Sequence, residues 1–255
     1  MAVDVALARS LPPDSGVLRI YRWSRPTLSF GRNQPARDRY DASAARSLGV
    51  DVVRRPTGGR EVLHDRELTY SVVAPLRSLG RLKDAYRTLN GALLQALRTL
   101  RVPAGFSTPD GRPPGPSAGA CFGAPVDGEV EVAGRKLVGS AQARIGTSLL
   151  QHGSLLLGPP TVALAALRTP PPAGEGGAPA SDVDALGPSG EGQGISLAEV
   201  LDAPVGFPDV AVSVEAAMAG VLGGAWARDT LRPEEREVAE RLVVDYESPS
   251  WTWRK

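Results

Sequence analysis

The sequence is poor in cysteine and aromatic residues, and each shortage limits what the chain can do. A single cysteine, Cys121, allows neither an intramolecular disulfide nor a zinc site built from several cysteines. Aromatic residues make up only 5% of the chain, so we expect a core of Leu, Val and Ala. No apolar run reaches the roughly 20 residues of a membrane helix, and the start lacks a signal-peptide pattern. We therefore expect a cytoplasmic protein with no membrane as partner.

The charge of the chain is nearly balanced. A net charge of +1 over 255 residues gives no indication of nucleic acid as the main partner. Arginines nevertheless cluster between residues 32 and 60, where they could dock an acidic protein. The length allows one large domain, or one domain with a small appendage.

The most unusual segment is Arg54–Ala74, with the sequence RRPTGGREVLHDRELTYSVVA. Gly58 and Gly59 let the backbone adopt a positive φ or approach a ligand closely. Three arginines bracket this pair, and Leu68–Ala74 has the pattern of a buried strand that would hold the loop. The segment is either an arginine-capped surface hairpin or a loop at the rim of a pocket for an acyl or phosphate group. The loop alone does not decide between them.

Hydrophobic periodicity predicts a mixture of helices and strands that does not follow a regular βαβ order, which favours an α+β fold. The predicted helices are Ala2–Ser10, a helix capped by Asp41 and running through Leu48, Leu82–Leu100, a short helix from Ser196, Ser213–Leu222 and Pro233–Val244. The predicted strands are Val17–Trp23, Leu28–Gly31, Val50–Arg54 and Leu68–Ala74, followed by a three-stranded meander in Glu129–Leu157.

The middle strand of the predicted meander carries polar residues where a core strand would be apolar. Its turns fall at Gly134 and Gly146. Strict alternation along this strand places four residues on one face: Lys136, Val138, Ser140 and Gln142. A row of Lys, Ser and Gln on one face of a central strand is unusual for a core and indicates a functional site.

Two segments near the end of the chain have an expected structural role only. Residues 169–194 consist mainly of Pro, Gly, Ala and Ser, so they predict a disordered surface insertion without chemistry. The aromatic rings of Trp251 and Trp253 are expected to dock the C-terminal tail on the body of the protein.

Three motifs together resemble the family of lipoate-protein ligases, biotin ligases and lipoyl or octanoyl transferases. They are RRPTGGREVLHDRELTYS, GRKLVGSAQ and LLQHGSLLL, in the order and spacing of that family. The resemblance implies an α+β fold with a central mixed or antiparallel sheet flanked by helices, in one catalytic domain over residues 1–255. It also implies a tunnel for a medium-chain acyl group beside Lys136. In the family a strand and a short loop precede the first helix, with which this sequence starts.

Cys121 selects a branch of this family. Ala120-Cys121-Phe122, fifteen residues before Lys136, is similar to the cysteine-dependent octanoyltransferases of the LipM type, whereas ATP-dependent ligases have an Asn/Asp-type residue in this segment. The resemblance implies transfer of octanoate from acyl carrier protein, through a Cys121 thioester, to a lysine of a lipoyl domain or the glycine cleavage H protein. A thiolate is the effective nucleophile, and the Lys136 ammonium would favour it. We expect no cofactor, no metal site and a monomer.

The same resemblance supplies the predicted substrate-binding residues: Arg55, Thr57, Gly58, Gly59, Arg60, His64, Ser140, Ala141, Gln142, His152 and Gly153. For His152, a polar contact that satisfies the strand is an equal alternative, and Ser140 could pack against a tight turn. Two other functions stay open: an ATP-dependent lipoate-protein ligase, and a non-enzymatic module that binds an acyl carrier.

Overall fold

The computed structural model describes residues 1–107, 128–170 and 194–254. The helices are α1 (Ala2–Ser10), α2 (Ala42–Ser47), α3 (Leu76–Leu79), α4 (Leu82–Thr99), α5 (Leu197–Leu201), α6 (Phe207–Leu222), α7 (Pro233–Glu247) and α8 (Pro249–Thr252), with a 3-10 helix at Leu164–Leu167. The strands are β1 (Val17–Tyr21), β2 (Thr27–Phe30), β3 (Asp51–Arg54), β4 (Val62–His64), β5 (Glu67–Pro75), β6 (Gly105–Phe106), β7 (Val130–Val132), β8 (Arg135–Ile145) and β9 (Ser148–Leu156).

Six strands form an antiparallel sheet in the order β1-β5-β9-β8-β7-β6. The long strands β5 and β9 are buried along almost their whole length because helices cover both faces of the sheet. α4 packs on the face that carries Tyr70 and Val72, and α1 and α7 pack on the face that carries Val73 and Leu150. The predicted α+β fold, with a central antiparallel sheet flanked by helices, is confirmed.

α4 agrees with its predicted bounds to one residue. Its stripe of Leu89, Leu93 and Leu97 is fully buried against the sheet, as the spacing of three and four residues requires. Burial of one such leucine stabilises the fold by about 1.5–3 kcal/mol. The helix therefore gives β5, β8 and β9 a rigid backing.

A smaller sheet in the order β3-β2-β4 carries the Gly/Arg segment. β2 pairs in parallel with β3 and antiparallel with β4, and residues 55–61 connect β3 to β4. We call residues 55–61 the glycine loop. Gly31 lies directly under it, since a Cβ built on Gly31 would be only 1.8 Å from the Gly59 carbonyl oxygen. Gly59 itself has φ +90, which favours glycine.

Arg54 ties the C-terminal tail to the start of the glycine loop. Its side chain is fully buried and donates from Nη1 to the Gly31 carbonyl (2.5 Å) and from Nη2 to the Thr252 carbonyl (2.9 Å). Trp251 Nε1 donates in return to the Arg54 carbonyl (3.1 Å), and Trp253 packs into the apolar cluster around β2. Burial lowers the pKa of Arg54 to about 10, so the guanidinium stays charged at neutral pH. The predicted docking of the tail is confirmed.

Several predicted boundaries were shifted. The first strand ends at Tyr21, and Trp23 leaves the sheet to stack on His64 with ring centroids 4.5 Å apart. The helix predicted from Ser213 begins six residues earlier, at Phe207. Pro208 lies in its first turn, where a proline is tolerated. The four-residue helix α3 had no periodic signal of its own.

The predicted meander is confirmed as β7-β8-β9, with turns at Gly134 (φ 76) and Gly146 (φ 59). The alternation along β8 is not regular, however. Lys136 pairs with Glu131 and Val138 pairs with Val130, so β8 advances two residues where β7 advances one, which is a β-bulge. Cross-strand partners share a face while neighbours in β7 alternate, and Lys136 and Val138 therefore lie on opposite faces. The predicted common face is therefore confirmed for Val138, Ser140 and Gln142 and wrong for Lys136.

Two predictions concern residues outside the described ranges. Cys121 lies within residues 108–127, and nearly all of the predicted 169–194 insertion lies within residues 171–193. In the described parts of the chain, no helix has the length and apolarity needed to cross a membrane.

Candidate functional site

A cavity of about 470 Å³ lies between the glycine loop, the strands β8 and β9 and the start of α4. Most of the predicted site residues line it: Arg55, Gly58, Gly59, Arg60, His64, Lys136, Ser140, Ala141, Gln142, His152 and Gly153. Thr57 is buried behind the wall, where it contacts His152. Residues far apart in the sequence thus meet around one space, although their roles toward a ligand stay predictions.

The glycine loop is shaped from inside by Arg55. The guanidinium is buried and donates to the carbonyls of Ser29 (2.9 Å), Gly58 (3.0 Å) and Arg60 (2.8 Å). Charge-assisted bonds of this kind are about twice as strong as neutral ones. Arg55 therefore fixes the path of the loop and places a positive charge beneath it.

His152 holds the loop from the side of the main sheet. Its Nε2 lies 2.6 Å from the Thr57 hydroxyl, and its Nδ1 lies 3.7 Å from the carboxylate of Asp4 on α1. Asp4 also accepts from the Ser71 hydroxyl (2.8 Å) and is paired with Arg19. Both alternatives raised for His152 therefore apply in part: it lines the cavity, and its nitrogens contact other protein groups.

Burial and the neighbouring charges determine the protonation states of His152 and Asp4. Burial lowers the pKa of His152 below its ordinary 6.5, although the nearby Asp4 carboxylate acts in the opposite direction. For Asp4, burial alone would raise the pKa, but the nearby imidazole of His152 and the charge of Arg19 hold it below the ordinary 3.8. A neutral His152 thus contacts the Thr57 hydroxyl and faces an ionised Asp4.

We expect the folded state to lose stability as the pH falls from 7.5 to 5.5. The unfolded chain protonates His152 below about pH 6.5, whereas the folded chain keeps this side chain neutral, so acid favours unfolding. The free energy of unfolding should fall by about 1 kcal/mol at pH 5.5. Urea denaturation at the two pH values measures this change.

A His152→Gln variant is the control for that pH dependence. Carboxylates with lowered pKa values act only below their ordinary 3.8 to 4.5, outside this pH window. The amino terminus of Met1, whose pKa burial lowers below its ordinary 8.0, does contribute in this window. The variant should therefore be less stable at pH 7.5 and lose less further stability at pH 5.5 than the wild type does. An equal loss in the wild type and the variant would contradict the assignment to His152.

The second histidine is part of a separate polar cluster. His64 Nδ1 lies 2.7 Å from the Glu67 carboxylate, and Nε2 lies 2.6 Å from the Ser29 hydroxyl. Trp23 stacks on the imidazole and donates from its indole to Thr69 (2.9 Å). His64 is thereby held at fixed orientation in the cavity wall, with an aromatic ring beside it.

Lys136 forms a buried ion pair in the cavity wall. Its Nζ donates to Glu129 Oε1 at 2.6 Å, and the two side chains are only 1% and 4% exposed. A buried charge is tolerated when it is paired and hydrogen-bonded. The pair therefore brings an ammonium to the cavity without leaving it uncompensated.

Ser140 and Gln142 belong to a hydrogen-bond network between the sheet and α4. Ser140 Oγ bonds with Tyr70 (2.8 Å) and Asn90 (3.0 Å), and the side-chain amides of Gln142 and Gln151 lie 2.7 Å apart. The two side chains line one end of the cavity and also link α4 to the strands. This network gives the polar face of β8 a structural role beside the predicted one.

Within the described residues, β7 pairs with β8 only as far as Val138. The following backbone, from Gly139 to Gln142, lines the cavity. Glycine at position 153 permits this arrangement, since a Cβ there would be 2.4 Å from the Gly139 carbonyl oxygen. The prediction that amides in 139–142 stabilise an oxyanion stays a prediction.

Ser107 and Gly128, the residues on either side of segment 108–127, meet close to Glu129, the partner of Lys136. The amide of Ser107 donates to the Glu129 carbonyl (2.8 Å), and the amide of Gly128 donates to the Ser107 carbonyl (3.1 Å). We call this junction the stem. Residues 108–127, which include Cys121, are joined to it at both ends.

The side chains of the cavity wall that the sequence did not reveal include Tyr21, Trp23, Tyr86 and Glu129. Aromatic residues are only 5% of the chain, so their rarity could have singled out the first three. Glu129 gave no signal, because only the fold brings it to Lys136. The described residues contain no cluster of three or more His, Cys, Asp or Glu that could hold a metal ion.

Solved structures of similar fold include lipoate-protein ligase A bound with ATP, with a TM-score of 0.76 and 23% identity over 99% of this chain and 92% of that one. A bi-partite lipoate protein ligase from Thermoplasma acidophilum has a TM-score of 0.77 and 24% identity over 99% and 89% of the two chains. At such identities the likeness concerns the fold alone.

Sequence relatives are closer. The octanoyltransferase LipM of Kyrpidia tusciae is 40% identical over 100% of this chain and 94% of its own length. The octanoyltransferase LipM of Symbiobacterium thermophilum is 36% identical over 100% and 93%. The family model of the lipoyl protein ligase A/B catalytic domain matches residues 1–211. The chain therefore belongs to the lipoyl protein ligase A/B catalytic-domain family.

Proposed function

We propose that the protein is an octanoyltransferase. It takes an octanoyl group from acyl carrier protein, holds it as a thioester on Cys121 and passes it to a lysine of a lipoyl-accepting protein, such as the glycine cleavage H protein. The activity named for its full-length relatives, at 40% and 36% identity, supports this proposal. The proposal treats residues 1–255 as one catalytic domain.

The observation that carries the proposal is the position of Lys136. Its ammonium lies in the cavity wall and is paired with Glu129, whose backbone forms part of the stem. Seven residues separate Cys121 from Gly128, and a chain of that length spans up to about 25 Å. Chain connectivity therefore allows the thiol to reach the cavity that contains the ammonium.

The first half of the reaction exchanges one thioester for another. The Cys121 thiolate attacks the carbonyl carbon of the octanoyl thioester, and the bond from that carbon to the carrier sulfur breaks. The carrier thiolate takes up the proton that Cys121 gave up. A cation such as Lys136 favours each thiolate and the oxyanion between them.

The second half forms the amide. The neutral amine of the acceptor lysine attacks the octanoyl-Cys121 carbonyl, the carbon–sulfur bond breaks, and the Cys121 thiolate regains a proton from the new amide nitrogen. Exchange between thioesters is nearly balanced in free energy, whereas an amide is more stable than a thioester. The sequence of steps therefore runs forward without ATP.

The residues in and behind the cavity wall acquire distinct roles in this proposal. Tyr21, Trp23 and Tyr86 supply apolar surface for the acyl chain. The glycine loop, held by Arg55 and Thr57, closes one side of the cavity and excludes water from the thioester.

Mass spectrometry tests the proposal. We expect the protein, mixed with octanoyl acyl carrier protein and no ATP, to gain one octanoyl group on the peptide that contains Cys121. Neutral hydroxylamine should remove this group, and added H protein should take it up as a hydroxylamine-resistant lysine amide. If the acceptor is acylated only with ATP and free lipoate, and no adduct forms, the protein is instead a ligase. Binding of the carrier without any transfer indicates a binding module.

A further inference from the structure

We propose that Glu129 is a positioning residue for Lys136. As the counter-ion, the Glu129 carboxylate holds the Lys136 ammonium at the cavity. This inference rests on the proposed octanoyl transfer and adds a residue to the machinery of that site. Three independent features of the described residues lead to it: the ion pair, the β-bulge and the anchoring of the stem.

The geometry of the pair is that of a strong charge-assisted hydrogen bond. Lys136 Nζ and Glu129 Oε1 are 2.6 Å apart, and both side chains are almost completely buried. Both residues line the cavity rather than the apolar core behind it. An ammonium buried there without a counter-charge would turn toward water, and this movement removes the positive charge from the site.

The β-bulge brings the two groups to the same face of the sheet. Glu129 precedes Val130, so it lies on the face opposite to Val130 and Val138. The bulge moves Lys136 to that same face, since Lys136 pairs with Glu131. Bulges re-aim side chains next to active sites, and here the result is the Lys136–Glu129 contact.

The backbone of Glu129 is fixed from two sides. Its carbonyl accepts from the Ser107 amide (2.8 Å), and the carbonyl of the preceding residue, Gly128, accepts from the side chain of Asn90 on α4 (2.8 Å). Asn90 is itself buried and bonded to Ser140. A carboxylate on a backbone held in this way can impose one position on a long, flexible lysine side chain.

Kinetics of Glu129→Gln test the inference, with Glu131→Gln as the matched control. Glu131 is two residues further along the chain, in β7, pairs across the ladder with Lys136 and is half-buried. We expect Glu129→Gln to lower kcat of octanoyl transfer by about ten- to a hundredfold with little change in KM for the carrier. Glu131→Gln should stay within about twofold of the wild type, and Glu129→Asp should recover part of the lost kcat.

Thermal unfolding of four proteins separates positioning from a general loss of structure. Lys136→Met should remove the ammonium that neutralises the buried Glu129 carboxylate and lower the Tm by about 6 °C or more. Adding Glu129→Gln to that variant should raise the Tm again. Additive losses, or a Glu129→Gln protein with wild-type kcat, would overturn the inference. A wild-type protein that transfers no octanoyl group would overturn the proposed function instead.

Discussion

A Cys121→Ser variant is expected to lose octanoyl transfer by at least about a thousandfold. Serine retains the size of the residue, but its hydroxyl is far less ionised than a thiol at neutral pH and attacks a thioester poorly. The assay follows octanoyl amide on the H protein, with saturating octanoyl acyl carrier protein and no ATP.

The thermal midpoint of Cys121→Ser is the control, because a variant that unfolds near the wild-type temperature has lost chemistry rather than structure. Binding of the acyl carrier should persist. Transfer at the wild-type rate would remove Cys121 from the mechanism. Transfer that survives in Cys121→Ser only with ATP and free lipoate would establish the ligase alternative.

A Gly31→Ala variant is expected to disrupt the glycine loop. The added methyl would lie 1.8 Å from the Gly59 carbonyl oxygen and 2.7 Å from its carbon, so backbone must move. Two backbone bonds resist this movement, from Arg32 to Thr57 (2.8 Å) and from Arg55 to Phe30 (2.9 Å). We expect a loss of about 2–4 kcal/mol in the free energy of unfolding and more than about tenfold lower transfer activity.

Gly58→Ala is the matched control for this substitution. Gly58 is in the glycine loop itself, but a Cβ there meets no heavy atom within 4 Å. Its free energy of unfolding should stay within about 0.5 kcal/mol of the wild type or rise slightly. Urea denaturation of both variants gives the comparison. Equal destabilisation of the two variants would contradict the assignment of the loss to the close contact between Gly31 and Gly59.

Local patterns in the sequence were sufficient for the frame of the molecule. The leucine spacing of Leu82–Leu100 predicted α4, and the glycines at 134 and 146 predicted the turns of the meander. These signals are local, since periodicity and positive φ depend on a few neighbouring residues. The motifs also predicted which residues line the cavity.

The errors arose where a distant part of the chain determines the outcome. Alternation placed Lys136 on the wrong face, because the bulge depends on how β7 pairs with β8. The contacts of Asp4 with His152 and of Glu129 with Lys136 follow from tertiary packing and have no sequence signature. Burial of paired charges was therefore the least predictable part of the site.

The hydrogen bonds of Arg54 have a consequence for the order of folding. Its acceptors on Trp251 and Thr252 lie 197 and 198 residues further along the chain, so they emerge from the ribosome much later than Arg54. Until then a guanidinium at the base of the glycine loop lacks these partners, and contacts of such long sequence separation form late. A nascent chain can therefore build α4 and the strands early, while the rim of its cavity is completed only after residues 251 and 252 have been made.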